Sequence, residues 1–237
     1  MTKKILIIGG HIKKNGAKIT APWDKNLVIT EGSQNIEGAD ELFDSLVAKF
    51  QTFIFQNKIA IMKCPHDLDV SGEIDWVNKN SDKGSIIISI HHNAELTGKA
   101  SGTEAFFYAG NKEGEDLAIK ICRKISKKTG LPNRGAKIES KTQYDSIGII
   151  SKTKGTAVLV ECGFLTNPKD RDIILNPQKD NLFSEAIAEA LAEYLGISMQ
   201  PAPETMQKSY SDYLDEAIEH EEKALELMKK IRDVIIK

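Results

Sequence analysis

Cysteine is scarce in this sequence, and neither sign of charge dominates. Three cysteines, Cys64, Cys122 and Cys162, stand at irregular spacing in 237 residues. An odd number without a pattern argues against a disulfide framework and for reduced thiols in a protein made in the cytoplasm. Lysine and arginine (32) nearly balance aspartate and glutamate (34), for a formal net charge of −2. That balance offers no electrostatic footprint for nucleic acid, which is therefore not an expected partner. No stretch approaches the roughly 18 continuous apolar residues of a membrane span. The opening "MTKKILIIGGHIKK" puts two lysines before an apolar run, but only about five apolar residues precede Gly9, too few for the core of a signal peptide. The expectation is synthesis in the cytoplasm without a signal peptide. Internal repeats and low-complexity tracts are also missing.

What is present is an alternation of strand-like and helix-like segments. Apolar runs at 3–9, 57–63, 85–90, 102–108 and 156–160 read as strands. Segments 35–50, 71–80, 113–130, 167–175 and 182–196 read as helices. Between 35 and 50, Ile36, Ala39, Leu42, Phe43, Leu46, Val47 and Phe50 form one stripe, and Gly130 and Gly196 stand where helices stop. The expected fold class is α/β: a twisted, mostly parallel sheet of about six strands with helices on both faces, plus a C-terminal helical extension.

The extension begins after a catalytic-domain-sized segment, 1–198. Residues 199–237 hold a short Pro-containing connector and one amphipathic helical pattern, with Tyr210, Leu214, Ala217, Ala224, Met228, Ile231 and Ile235 on one face. Acids crowd its first half and bases its second, which complements the helix dipole. About 32 residues bury too little alone. Its stripe is expected to dock on the preceding domain, to pair with a second copy as a homodimer, or to form part of a wall-targeting module.

Chemistry-bearing residues follow three of the apolar runs. "ILIIGG" leads to His11, "IIISI" to His91 and His92, and "AVLV" to Glu161. Ligands of open α/β sheets bind beyond the carboxyl ends of the strands, so these side chains are candidates for one site. Two neutral imidazoles and a carboxylate are the ligand set of many catalytic zinc ions, and a further carboxylate is then wanted as general base. Glu31, just ahead of a helix starting near residue 34, offers a second acid. Local readings compete: His11 as a turn residue after two glycines, Glu31 as an acid complementing a helix dipole, and Cys162 as a nucleophile or a small buried side chain. His66 and His220 read as structural or surface residues.

Six blocks, "ILIIGGH", "EGSQNIEGADELFDSL", "IISIHHNA", "SGTEAFFY", "RGAKIES" and "TAVLVECGFLTNPKDRDIIL", resemble the zinc-dependent N-acetylmuramoyl-L-alanine amidases of the amidase_3 family, in the family's order, over about residues 3–196. The I-S-I-H-x-N-A and L-V-E-x-G-F-x-x-N-P-x-D runs are the most specific. The resemblance implies one zinc ion held by His11, Glu31 and His91, with Glu161 catalytic and His92 where the family usually has alanine. After His11 the chain departs from the family, carrying lysines where glycines and an acidic residue are usual.

The implied substrate is peptidoglycan, cut between N-acetylmuramic acid and L-alanine. The rivals are a zinc peptidase cutting within the stem peptide and a non-catalytic peptidoglycan-binding protein of the same fold. Without an export signal, the resemblance fits a phage endolysin that acts on the wall after release, or a bacterial autolysin or sporulation enzyme.

Overall fold

In a computed structural model the described residues are 2–10, 18–20, 28–56, 58–141, 146–176, 178–179 and 181–197. All of them belong to the unit Met1–Met199. His11, His220 and the expected linker and amphipathic helix over 199–237 lie outside the described residues.

The elements in chain order are β1 (Lys3–Gly9), β2 (Lys18–Thr20), β3 (Val28–Thr30), α1 (Glu31–Phe55), β4 (Ile59–Lys63), α2 (Val70–Asn80), β5 (Ile86–Asn93), β6 (Thr103–Phe107), α3 (Lys112–Thr129), β7 (Asn133–Ile138), a 3-10 turn (Glu139–Lys141), α4 (Gly148–Ser151), β8 (Thr156–Phe164), α5 (Pro168–Ile174) and α6 (Asn181–Leu195). Six strands form one sheet in the order β4-β1-β5-β8-β6-β7, and β2 and β3 pair antiparallel in a separate two-stranded sheet. Every neighbouring pair of the large sheet is parallel except β6 and β8. The α/β expectation, mostly parallel, holds.

The unbroken apolar runs of β1, β5 and β8 follow from burial of the sheet on both sides. Ile5, Ile7, Ile86, Ile88, Ile90, Val158 and Val160 pack with Leu42, Leu46 and Phe50 of α1, Leu117 and Ile121 of α3, and Leu191 of α6. Leu6, Ile8, Ile87, Ala157 and Leu159 face the other way, onto Val77 of α2 and Ile149 and Ile150 of α4. Each fully buried isoleucine or leucine contributes on the order of 1.5–3 kcal/mol, so both layers hold the strands in register.

Termini behave as their residues dictate. Asn111 caps α3 by accepting from the Gly114 N–H, and Gly130 ends it in the left-handed conformation. Asn167 caps α5 by accepting from the Lys169 and Asp170 N–H groups, with Pro168 in the first turn. Asp170 is buried and accepts from the N–H groups of Gly102 (2.8 Å) and Phe164 (2.9 Å). The Asn-Pro-x-Asp part of the last block thus ties α5 to the end of β8 and the start of β6.

The largest boundary differences from the sequence expectation lie in β5, β8 and α1. β5 runs through both histidines to Asn93, β8 runs through Glu161 to Phe164, and α1 starts at Glu31 and reaches Phe55. β7, which has no apolar run, was not anticipated. Strand pairing uses backbone groups alone, so a ladder continues past the point where side chains turn polar.

Candidate functional site

Alternation along β5 separates the two adjacent imidazoles. His92 continues the face of Ile86, Ile88 and Ile90, whereas His91 follows Ile87 and Ser89 on the opposite face. Both rings are buried. Nε2 of His91 lies 3.1 Å from Ser89 Oγ, and its Nδ1 lies 3.5 Å from Glu31 Oε1. His92 instead pairs its Nδ1 with Asn35 Oδ1 at 2.9 Å and meets the Phe183 ring edge-on at 6.3 Å. Burial drives the His92 imidazole down to about 4, with Glu31 opposing and His91 reinforcing the shift. His92 is therefore neutral near pH 7 and belongs to the packing between β5, α1 and α6.

Glu31 is the first residue of α1 and directly follows β3, which ends at Thr30. One turn later on the same helix face stands Asn35, with no exposed surface. Its Nδ2 donates to the Gly10 carbonyl at 2.8 Å and to Glu31 Oε1 at 3.2 Å. One amide therefore joins the end of β1, the start of α1 and, through Oδ1, His92. Gly10 also donates its N–H to the Ile90 carbonyl at 3.0 Å. A Cβ on Gly9 would meet the Asn35 carbonyl oxygen at 2.7 Å, so the strand end fits against the helix only without a side chain.

Glu161 is the register partner of His91 across β5 and β8, and of Glu104 across β8 and β6. His91, Glu161 and Glu104 thus form one rung over three strands, on one face of the sheet. The β5–β8 register slips just past His91, between His91 and Asn93, as bulges beside sites do. Glu161 is half-buried as a residue, but its Oε2 is enclosed and has no hydrogen-bond partner among the described residues. Burial pushes its carboxyl well above the usual range, and the negative charges of Glu31 and Glu104 push further.

Glu104, by contrast, is saturated. Its Oε1 accepts from Asn93 Nδ2 at 2.9 Å; its Oε2 accepts from Arg134 Nε at 2.7 Å and from Lys137 Nζ. Nothing in the strand pattern "GTEAFFY" singled out this acid, because a lone glutamate in an apolar strand has no local signature. Its Cα partner in the neighbouring strand, not its own segment, makes it notable.

Glu31 and His91 are spaced as two ligands of one divalent metal ion would be. Two ligands each about 2.1 Å from a tetrahedral centre stand about 3.4 Å apart, and Glu31 Oε1 and His91 Nδ1 are 3.5 Å apart. Each also carries an outer partner, Ser89 on the far imidazole nitrogen and Asn35 on the carboxylate, as metal ligands do. Among the described residues no three His, Cys, Asp or Glu side chains form a metal-holding group. The expected third ligand, His11, lies outside them. Cys162 is buried in the core with its thiol pushed up by burial and by Glu161, which suits packing and not nucleophilic attack.

Comparison with known proteins shows the family and the fold. Residues 5–193 match the family profile Amidase_3, described as N-acetylmuramoyl-L-alanine amidase. The probable cell wall amidase LytH of Staphylococcus saprophyticus is 31% identical over 112 residues, covering 47% of this chain and 36% of that protein. The catalytic domain of CwlV, an N-acetylmuramoyl-L-alanine amidase from Bacillus (Paenibacillus) polymyxa var. colistinus, superposes with a TM-score of 0.64 at 20% identity, over 84% of this chain and 100% of that one. The catalytic domain of the CD27L endolysin targeting Clostridia difficile gives 0.56 at 27% identity, again over 84% and 100%. With the profile spanning most of the sequence, the chain belongs to the amidase_3 family of N-acetylmuramoyl-L-alanine amidases.

Proposed function

We propose that this chain hydrolyses the amide bond between the lactyl group of N-acetylmuramic acid and L-alanine in peptidoglycan, with His11, Glu31 and His91 holding one zinc ion and Glu161 acting as general base. A zinc ion so held supplies Lewis-acid polarisation of the scissile carbonyl and lowers the pKa of water at the site to about 7. Ser89 and Asn35 fix the orientations of His91 and Glu31, so both donors are set before substrate arrives.

The observation that carries the reading is the enclosed Glu161 Oε2, unpartnered among the described residues, in the same rung as His91. A carboxylate in that state has a raised proton affinity and an open acceptor position. It takes a proton from the attacking water and returns it to the departing alanine nitrogen, and a raised proton affinity serves both transfers near neutral pH.

The test pairs two variants with product analysis of digested cell walls. Glu161→Gln keeps bound zinc and loses about 10²–10⁴-fold in turnover; His91→Ala loses zinc as well. Native digests yield free lactyl groups and new L-alanine amines. Near-native turnover by Glu161→Gln, or stems cut within the peptide, would refute the reading.

A further inference from the structure

Next to the rung of His91, Glu161 and Glu104 lies a pair of cations that the proposed hydrolysis does not use. Arg134 and Lys137 sit on β7, the edge strand beyond β6. Residues three apart in a regular strand point to opposite faces, yet both of these reach the same Glu104 oxygen. The β6–β7 register accounts for it. Thr103 pairs with Asn133 but the next residue, Glu104, pairs with Gly135, so Arg134 is an inserted residue. Gly135 carries a φ of +82°, a backbone state that a side chain would strain. Bulges are rare in parallel pairs, and this one turns Arg134 onto the Lys137 side of the sheet.

The guanidinium is further oriented by the Phe164 ring, 4.9 Å below its centre. Only Nε is spent on Glu104. The two terminal nitrogens make no hydrogen bond among the described residues, and 33% of the Arg134 side chain and 39% of Lys137 remain exposed, against 5% for Glu104. Two cations against one carboxylate leave a surplus positive charge, with a guanidinium fork already aimed.

We propose that Arg134 and Lys137, held by Glu104 and the Gly135 bulge, form an anion subsite that binds a carboxylate of the stem peptide beside the scissile bond. The inference rests on the amidase reading above. Neighbouring strands lie about 4.8 Å apart, so β7 is roughly 10 Å from Glu161 on β8. One extended residue spans about 3.5 Å, which puts the α-substituent of the second stem residue within reach of two long side chains. When that residue is a γ-linked glutamate, the substituent is a free carboxylate, suited to bidentate capture. When it is amidated, the charge is gone.

Two synthetic disaccharide-peptides differing only in that group, carboxylate or carboxamide, test the proposal with the purified chain loaded with zinc. The native protein is expected to show about a tenfold lower KM for the carboxylate form, with similar kcat for both. Arg134→Gln and, separately, Lys137→Gln should collapse the KM ratio toward one, and Arg134→Lys should restore part of it. A native ratio near one would overturn the subsite. So would variants that weaken both substrates equally while keeping the ratio, because the two cations would then only brace Glu104. If the native protein cleaves neither compound and cell-wall digests also lack new L-alanine amines, the amidase reading itself has failed. If cell walls are digested but neither compound shows a charge preference, only the subsite has.

Discussion

The His91 ring fills the space that a side chain on Gly10 would need. A Cβ on Gly10 would stand 2.0 Å from both Cε1 and Nε2 of the His91 ring, far inside any real contact. The glycine is required there for room, so that the end of β1 lies against the imidazole and holds its Nδ1 toward Glu31. Gly10→Ala must displace the ring or the strand end, at a cost of about 1–3 kcal/mol. Zinc content and turnover should fall together, with a modest drop in melting temperature. A variant that kept native zinc stoichiometry and activity would contradict this account.

Asn35 should couple stability to metal affinity. Its amide meets the Gly10 carbonyl, Glu31 and His92, all in a buried setting. Asn35→Ala leaves a buried carbonyl and an imidazole nitrogen without partners, a loss of about 1–3 kcal/mol in urea unfolding for each group. Because Glu31 loses its orienting donor, zinc affinity measured by competition with a chelator should weaken about 10–100-fold. Unfolding that shifts while zinc affinity does not would confine Asn35 to a structural role.

All three thiols should be silent in the native state. Burial pushes Cys64 and Cys122 up to about 12 and Cys162 also upward, and none is in a disulfide. A raised thiol pKa leaves little thiolate below it, so alkylation at pH 8 should be slow for the folded protein and rapid in denaturant. Mass spectrometry after timed alkylation reads the difference. Fast labelling of Cys162 in the folded chain would reopen it as a nucleophile.

The contact between α3 and α6 should weaken in acid. Lys128 lies 2.9 Å from Glu185 and from Glu189, and Arg123 and Lys124 reach Glu193. Hydrogen bonds from Lys128 and Arg123 hold the Glu185 and Glu193 carboxyls below their usual range. A depressed folded value stabilises above the unfolded pKa and is lost as pH falls through the folded one. The hydrogen bonds to Glu189 and Glu185 raise Lys128, so its share is present below the unfolded lysine value and lost at strongly alkaline pH. Glu185→Gln should therefore lower the melting temperature at pH 7 by a small amount and have no effect near pH 2. An equal effect at both values would remove the electrostatic explanation.

The strand runs, the major helices, the caps at Gly130 and the acid-and-imidazole inventory were all legible in the sequence, because apolar periodicity and capping are local. The Gly9–Gly10 pair was visible too, but only as a turn. β7 was hidden by Arg134, Gly135 and Lys137, which break the apolar pattern. The bulge that makes them useful depends on β6 as a partner. Glu104 has no local signature in its strand, and only its register with Glu161 marks it.

By itself, the sequence determined that this is an α/β chain of the amidase_3 pattern with histidines and acids clustered after apolar runs, since those features depend on neighbours within a few residues. Which of two adjacent imidazoles faces Glu31, which carboxylate is enclosed without a partner among the described residues, and which cations gather beside it were decided only by the tertiary structure. The physical reason is that strand register and the alternation of faces bring together side chains from β5, β8, β6 and β7, and no local segment carries that information.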